Sequence, residues 1–119
     1  MPVSLEYKNY IMDLLSPMEG MTSRSMFGAV GLFIDGKMFG IISRNDRFYF
    51  KIDNKNLNDF EDAGSGPFKP HADRSMTMSY YEVPVDLLED HEELLLWAQK
   101  AWEAACRVAE KKLKRKKRV

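Results

Sequence analysis

Residues 26–42 constrain the fold more than any other stretch of this sequence. Met26-Phe27-Gly28-Ala29-Val30-Gly31-Leu32-Phe33-Ile34 is apolar and punctuated by glycine, Asp35-Gly36 interrupts it, and Met38-Phe39-Gly40-Ile41-Ile42 resumes it. Asp-Gly between two apolar runs is a short hairpin signal, because such turns need positive φ, which these residues tolerate best. The chain has to double back here, which predicts neighbouring antiparallel strands. Arg44-Asn45-Asp46 forms a second polar turn, and Arg47–Ile52 alternates with Phe48, Phe50 and Ile52 on one face. Three or four strands in a meander follow. A last strand is expected over Met76–Val83, with Met76, Met78, Tyr80 and Glu82 facing one way and Thr77, Ser79, Tyr81 and Val83 the other.

Helical spacing brackets the strands. Ser4 is a good N-cap, and Tyr7, Tyr10, Ile11, Leu14, Leu15 and Met18 recur every three or four residues, which predicts a helix over about 4–15 that stops before Pro17. Asp53-Asn54 caps a short helix at about 55–63 with Leu57, Phe60 and Ala63 inward, closed by Gly64. Residues 64–75 read as an exposed loop anchored by Phe68. Pro84 opens a helical turn that points Leu87 and Leu88 inward. Asp90 then caps a final helix over about 91–114, whose stripe is Leu94, Trp97, Ala98, Ala101, Trp102, Ala105, Ala109 and Leu113. The fold class is therefore α+β: a two-layer sandwich with an antiparallel sheet of four to five strands, flanked by N-terminal and C-terminal helices.

At 119 residues and 45% hydrophobic content, the chain can bury one core, which excludes wholesale disorder. No apolar run approaches the roughly 20 residues a membrane span needs. Glu6, Lys8 and Asp13 interrupt the N-terminal apolar pattern, so it is not a signal-peptide h-region. The single cysteine, Cys106, allows no intramolecular disulfide. A soluble cytoplasmic protein is expected.

The neutral net charge conceals an asymmetry. Residues 111–118, KKLKRKKR, hold seven of the 18 basic side chains and none of the 18 acids, so the first 110 residues carry −7 against +7. The expected division is a domain over 1–110 and a basic tail over 111–119. Such a run is consistent with a solvated helix end that suits the helix dipole, or with an acidic partner or anionic membrane surface. It also suits phosphate binding by counterion release, and then Lys111, Lys112, Lys114, Arg115, Lys116, Lys117 and Arg118 are the candidate nucleic-acid contacts.

Other chemistry has little support. His71, His91 and Cys106 show no metal-ligand spacing, and Cys106 among Ala104, Ala105 and Val108 reads as an inert thiol. Gly28 and Gly31 do not open a helix after a strand, so they suit a bulge or a close backbone approach rather than a phosphate loop. Glu61-Asp62, Glu89-Asp90 and Glu92-Glu93 suit helix ends. The sheet aromatics are most simply core, as are Met12, Met26, Met38, Met76 and Met78 of the eight methionines, with an adaptable binding surface as the alternative for the methionines.

Four pieces in order carry a resemblance: Ser25 through Phe39, Phe48-Tyr49-Phe50-Lys51-Ile52-Asp53, Phe60–Gly64 with Gly66-Pro67-Phe68, and Met78–Pro84 followed by the Leu/Trp/Ala-rich stretch 94–105. Together they resemble the TfoX/Sxy N-terminal domain family over about residues 5–109. The resemblance implies a small α+β domain with no catalytic residue and no cofactor. Full-length family members regulate natural competence genes in bacteria together with the cyclic-AMP receptor protein and carry a second, C-terminal domain. This sequence resembles a single-domain member with a basic tail where that domain would begin. The expected function is a non-catalytic regulatory or interaction module that contacts DNA through the tail. The alternative is a protein–protein adaptor or homodimer using the Met/aromatic sheet face or the Trp97/Trp102 stripe.

Overall fold

A computed structural model describes residues 4–26, 28–68 and 79–117. The order along the chain is α1 (Leu5–Leu14), β1 (Met21–Met26), β2 (Ala29–Ile34), β3 (Lys37–Ile42), β4 (Phe48–Lys51), α2 (Leu57–Asp62), β5 (Tyr80–Glu82), α3 (Val85–Leu88) and α4 (His91–Lys117). The five strands form one antiparallel sheet in the order β1-β2-β3-β4-β5. The α+β architecture expected from the sequence is the one observed. The last expected strand starts before the described part of β5, and its residues 76–78, like the loop residue His71, lie outside the described residues.

The β2–β3 hairpin turns where expected, with Asp35 at φ 55° and Gly36 at φ 75°. The run 26–34 is not one strand, however. The polar segment Met-Thr-Ser-Arg-Ser-Met forms β1 and pairs with β2 from Met21↔Ile34 to Met26↔Ala29. Gly28 belongs to the turn between them, at φ 81°. A Cβ on Gly28 would lie 2.9 Å from Arg44 Cδ, so this glycine answers a close approach. The sheet's bulge lies elsewhere. Leu32 pairs with Gly40 while Phe33 pairs with Met38, leaving Phe39 as the extra residue. Strict alternation would set Phe39 beside Ile41, but the bulge turns it to the opposite face, where it is fully buried.

That face carries the main core. Val30, Leu32, Phe39, Ile42, Phe48, Phe50 and Val83 of the sheet side pack against Ile11 and Leu15, Phe60, Leu87, and Leu94, Ala98, Ala101 and Ala105 of α4. Small residues on α4 let the helix axis approach the sheet closely, and the aromatics of β3 and β4 fill the space; Phe48 and Phe50 meet edge to face with centroids 4.8 Å apart. Ile41, Tyr49 and Tyr80 form a smaller cluster on the other face, and Phe68 covers Tyr49 at 4.8 Å. The expected anchoring role of Phe68 is thereby met. Ala63, expected inward, is exposed, and α2 spans only Leu57–Asp62. Asn56 rather than Asp53-Asn54 precedes it, its side chain buried between the Asp53 N–H (2.7 Å) and the Lys51 carbonyl (3.0 Å).

Both long helices have the caps the sequence indicated. Ser4 Oγ accepts from the Tyr7 N–H at 3.2 Å, and Ser4 is itself tied to Asp46 in the β3–β4 turn by two bonds, of 3.1 and 2.9 Å. Asp90 accepts from the Glu93 N–H at 3.3 Å, at the start of α4.

Candidate nucleic-acid interface

The chemistry-bearing region is the last third of α4. At 1.5 Å per residue its 27 residues span about 40 Å, roughly twice the length of a six-residue strand. The helix therefore outruns the sheet it packs on. Ala98, Ala101, Ala104 and Ala105 are buried, Cys106 to Ala109 are half-buried, and Glu110, Lys111, Lys112 and Leu113 are exposed. Leu113, expected at the end of the apolar stripe, keeps 55% of its surface in solvent. The first residues of the basic run, Lys111 to Leu113, are thus exposed.

The helix continues to Lys117, beyond the expected stop at 114. Lys111 and Lys112 are exposed on it. Lys114, Arg115, Lys116 and Lys117 occupy its final residues, while Arg118 lies outside the described residues.

The last firm anchor before this end is Arg107. Its Nε and Nη2 donate to the two carboxylate oxygens of Asp53, 54 residues away at the exit of β4. The Lys55 N–H also donates to this carboxylate. The Arg107 hydrogen bond, opposed by some burial, holds the Asp53 carboxyl below its ordinary range. Sequence reasoning assigned Asp53 only a local capping role, and nothing in its spacing signals a partner so distant.

Beside this clamp, α4 and the sheet end border an open, shallow cleft of about 250 Å³. Lys37, Lys51 and Lys112 line it, over Met38, Tyr80, Val108 and Ala109. The Lys51 ammonium sits 5.1 Å from the centroid of the Tyr80 ring. Burial, then the nearby Lys112 charge, lowers the Lys51 pKa. The Tyr80 hydroxyl donates to the Met38 carbonyl at 3.0 Å, and burial pushes its pKa well up. Of these three lysines, the sequence singled out only Lys112.

A family comparison decides what kind of domain this is. The model of the TfoX N-terminal domain matches residues 13–105. The chain belongs to the TfoX N-terminal domain family. The matched span runs from the end of α1 to the last buried turn of α4 and stops short of the basic run. The family is one of regulatory domains associated with competence regulators. No match was found among curated proteins.

Several other residues of this TfoX N-terminal domain that the sequence offered as candidates have structural roles. His91 Nε2 meets the Leu14 carbonyl at 2.9 Å and ties α4 to α1. Burial raises the Cys106 pKa, the direction of an unreactive thiol. Trp97 is half-buried with its ring 4.7 Å from Phe60, and Trp102 Nε1 donates to the Ile34 carbonyl at 3.1 Å. The two tryptophans considered for an adaptor surface are therefore largely engaged within the domain, as are Tyr49 and Tyr80 on the sheet. No described helix is long and apolar enough to cross a membrane.

Proposed function

We propose that this TfoX N-terminal domain is a non-catalytic regulatory module that holds duplex DNA through the basic end of α4. One observation supports the reading: the basic run continues α4, the helix packed on the sheet, with Lys111 and Lys112 exposed and the backbone helical to Lys117. A presented helix loses less conformational freedom on binding than a free tail. Lys111, Lys112, Lys114, Arg115, Lys116, Lys117 and Arg118 are the proposed phosphate contacts; they position the domain and read no bases. The acidic body repels the duplex and leaves the helix end as the contact. Membership of a family associated with competence regulators supports a role in transcription regulation.

The test is fluorescence anisotropy with a labelled duplex across a salt series. The full chain is compared with a full-length variant carrying glutamine at all seven basic positions, which keeps helix propensity and removes charge. Engagement of most of the seven gives a slope of log K against log salt of about −5 to −6, from roughly −0.9 per phosphate. Equal affinities for the two proteins at low salt would refute the proposal and favour a protein partner as the module's target.

A further inference from the structure

Apart from the helix end, the lysine-lined cleft at the α4–sheet junction is suited to a ligand of its own. We infer that this cleft binds a small organic phosphate, with the phosphate held by Lys37, Lys51 and Lys112 and the organic body resting on Met38, Val108 and the Tyr80 ring.

Three observations lead there. First, the open cleft has room for a small group, at about 250 Å³, and combines apolar lining from Met38, Val108 and the Tyr80 ring with three lysines. Second, the three lysines come from three separate elements: Lys37 begins β3, Lys51 ends β4 and Lys112 lies on α4. Their convergence is a property of the tertiary fold and not of a charged run. Third, Lys51 is half-buried, and among the described residues it makes no ion pair; its ammonium lies over the Tyr80 ring. Lys37 has a weak partner in Asp35, 3.6 Å away and 79% exposed, while Arg107 already occupies Asp53. The Lys112 charge disfavours the Lys51 ammonium, and the burial of Lys51 adds a desolvation cost that an anion offsets. A phosphate suits them better than a monocarboxylate, because it brings up to two negative charges and three acceptor oxygens.

The cleft and the helix end are separable by mutation. The experiment titrates phenyl phosphate, with benzoate as the carboxylate counterpart, into ¹⁵N-labelled full-length protein, following amide shifts by NMR. Saturable shifts are expected at Gly36, Lys51, Tyr80 and Ala109, with weaker binding of benzoate. Lys51→Met should weaken phenyl phosphate about tenfold or more, since one charge-assisted hydrogen bond is lost. Lys112→Met, at an exposed position that cannot compromise folding, should weaken it several-fold, whereas Lys100→Met, remote from the cleft and paired with Asp59, should leave it unchanged. A variant with glutamine at Lys114, Arg115, Lys116, Lys117 and Arg118 should bind phenyl phosphate like wild type even where it no longer holds DNA. Non-saturating shifts, shifts confined to the helix end, equal binding of benzoate, or wild-type affinity in both Lys51→Met and Lys112→Met would each overturn the inference.

Discussion

Replacing Asp53 by asparagine tests whether the Arg107 clamp holds α4 to the sheet. The substitution keeps the shape and one acceptor oxygen but removes the charge that receives both guanidinium bonds. Exposed ion pairs contribute roughly 0.2–1 kcal/mol, and breaking a fully buried pair costs about 3–5 kcal/mol. This pair lies between, with side-chain exposures of 29% for Arg107 and 13% for Asp53. The expected loss is therefore about 2 kcal/mol at pH 7, from charge-assisted bonds of about 1.5–3 kcal/mol. For a domain of this size that lowers Tm by roughly 8 °C. Urea unfolding followed by Trp97 and Trp102 fluorescence measures it directly, because both indoles lie on α4. The pH dependence separates charge from packing. The folded carboxyl titrates below its ordinary 3.8, so its contribution is complete above that value and is lost as pH falls through the folded pKa. The gap between wild type and variant should be constant from pH 7 to about 5 and close below about 4. In a cycle with Arg107→Met, the double variant should lose little more than either single one. A gap under about 0.5 kcal/mol at pH 7, a gap that persists unchanged to pH 2, or additive losses in the cycle would each refute the clamp.

Gly28→Ala should destabilise the domain by at least about 1 kcal/mol through its φ of 81°, and adding Arg44→Ala should recover only the steric part, as thermal unfolding of the two variants would show. Tyr80→Phe removes the bond to the Met38 carbonyl and should cost about 1–2 kcal/mol at neutral pH in urea unfolding. Because burial raises the Tyr80 pKa, stability attributable to its neutral phenol is complete below its ordinary 10.0 and is lost as pH rises through the folded value. Tyr80→Phe should accordingly lose less stability than wild type between neutral pH and pH 11, read from unfolding midpoints, and should remove one late-ionising group from the ultraviolet titration. Phe50→Ala, emptying a fully buried site in the main cluster, should cost about 3–5 kcal/mol and leave a marginal fold by the same urea assay.

Much of the fold is legible in short windows of sequence. The Asp35-Gly36 turn, the Ser4 and Asp90 caps, the α4 stripe and the shared face of Phe48 and Phe50 each follow from turn chemistry, capping or periodicity within a few residues. β1 escapes the same reading because it is a polar edge strand: Thr22, Arg24 and Ser25 face solvent, and a strand with one unpaired edge needs no apolar alternation to be stable where it is. Phe39 misleads a period-two count because a single bulged residue exchanges the faces of all that follow.

The candidate site divides in the same way. The amino-acid sequence alone sets the charge of the helix end, since seven basic residues in a row of eight need no partner to be basic. Only the tertiary structure decides that α4 carries this run on to Lys117, that Arg107 and Asp53 tie α4 to the sheet before it, and that Lys37, Lys51 and Lys112 share one cleft. The physical reason is range. Turns, caps and amphipathic stripes are settled by neighbours within about a helical turn, whereas these contacts depend on strand order, a bulge and the path of α4 across the sheet, which the hydrophobic core fixes collectively.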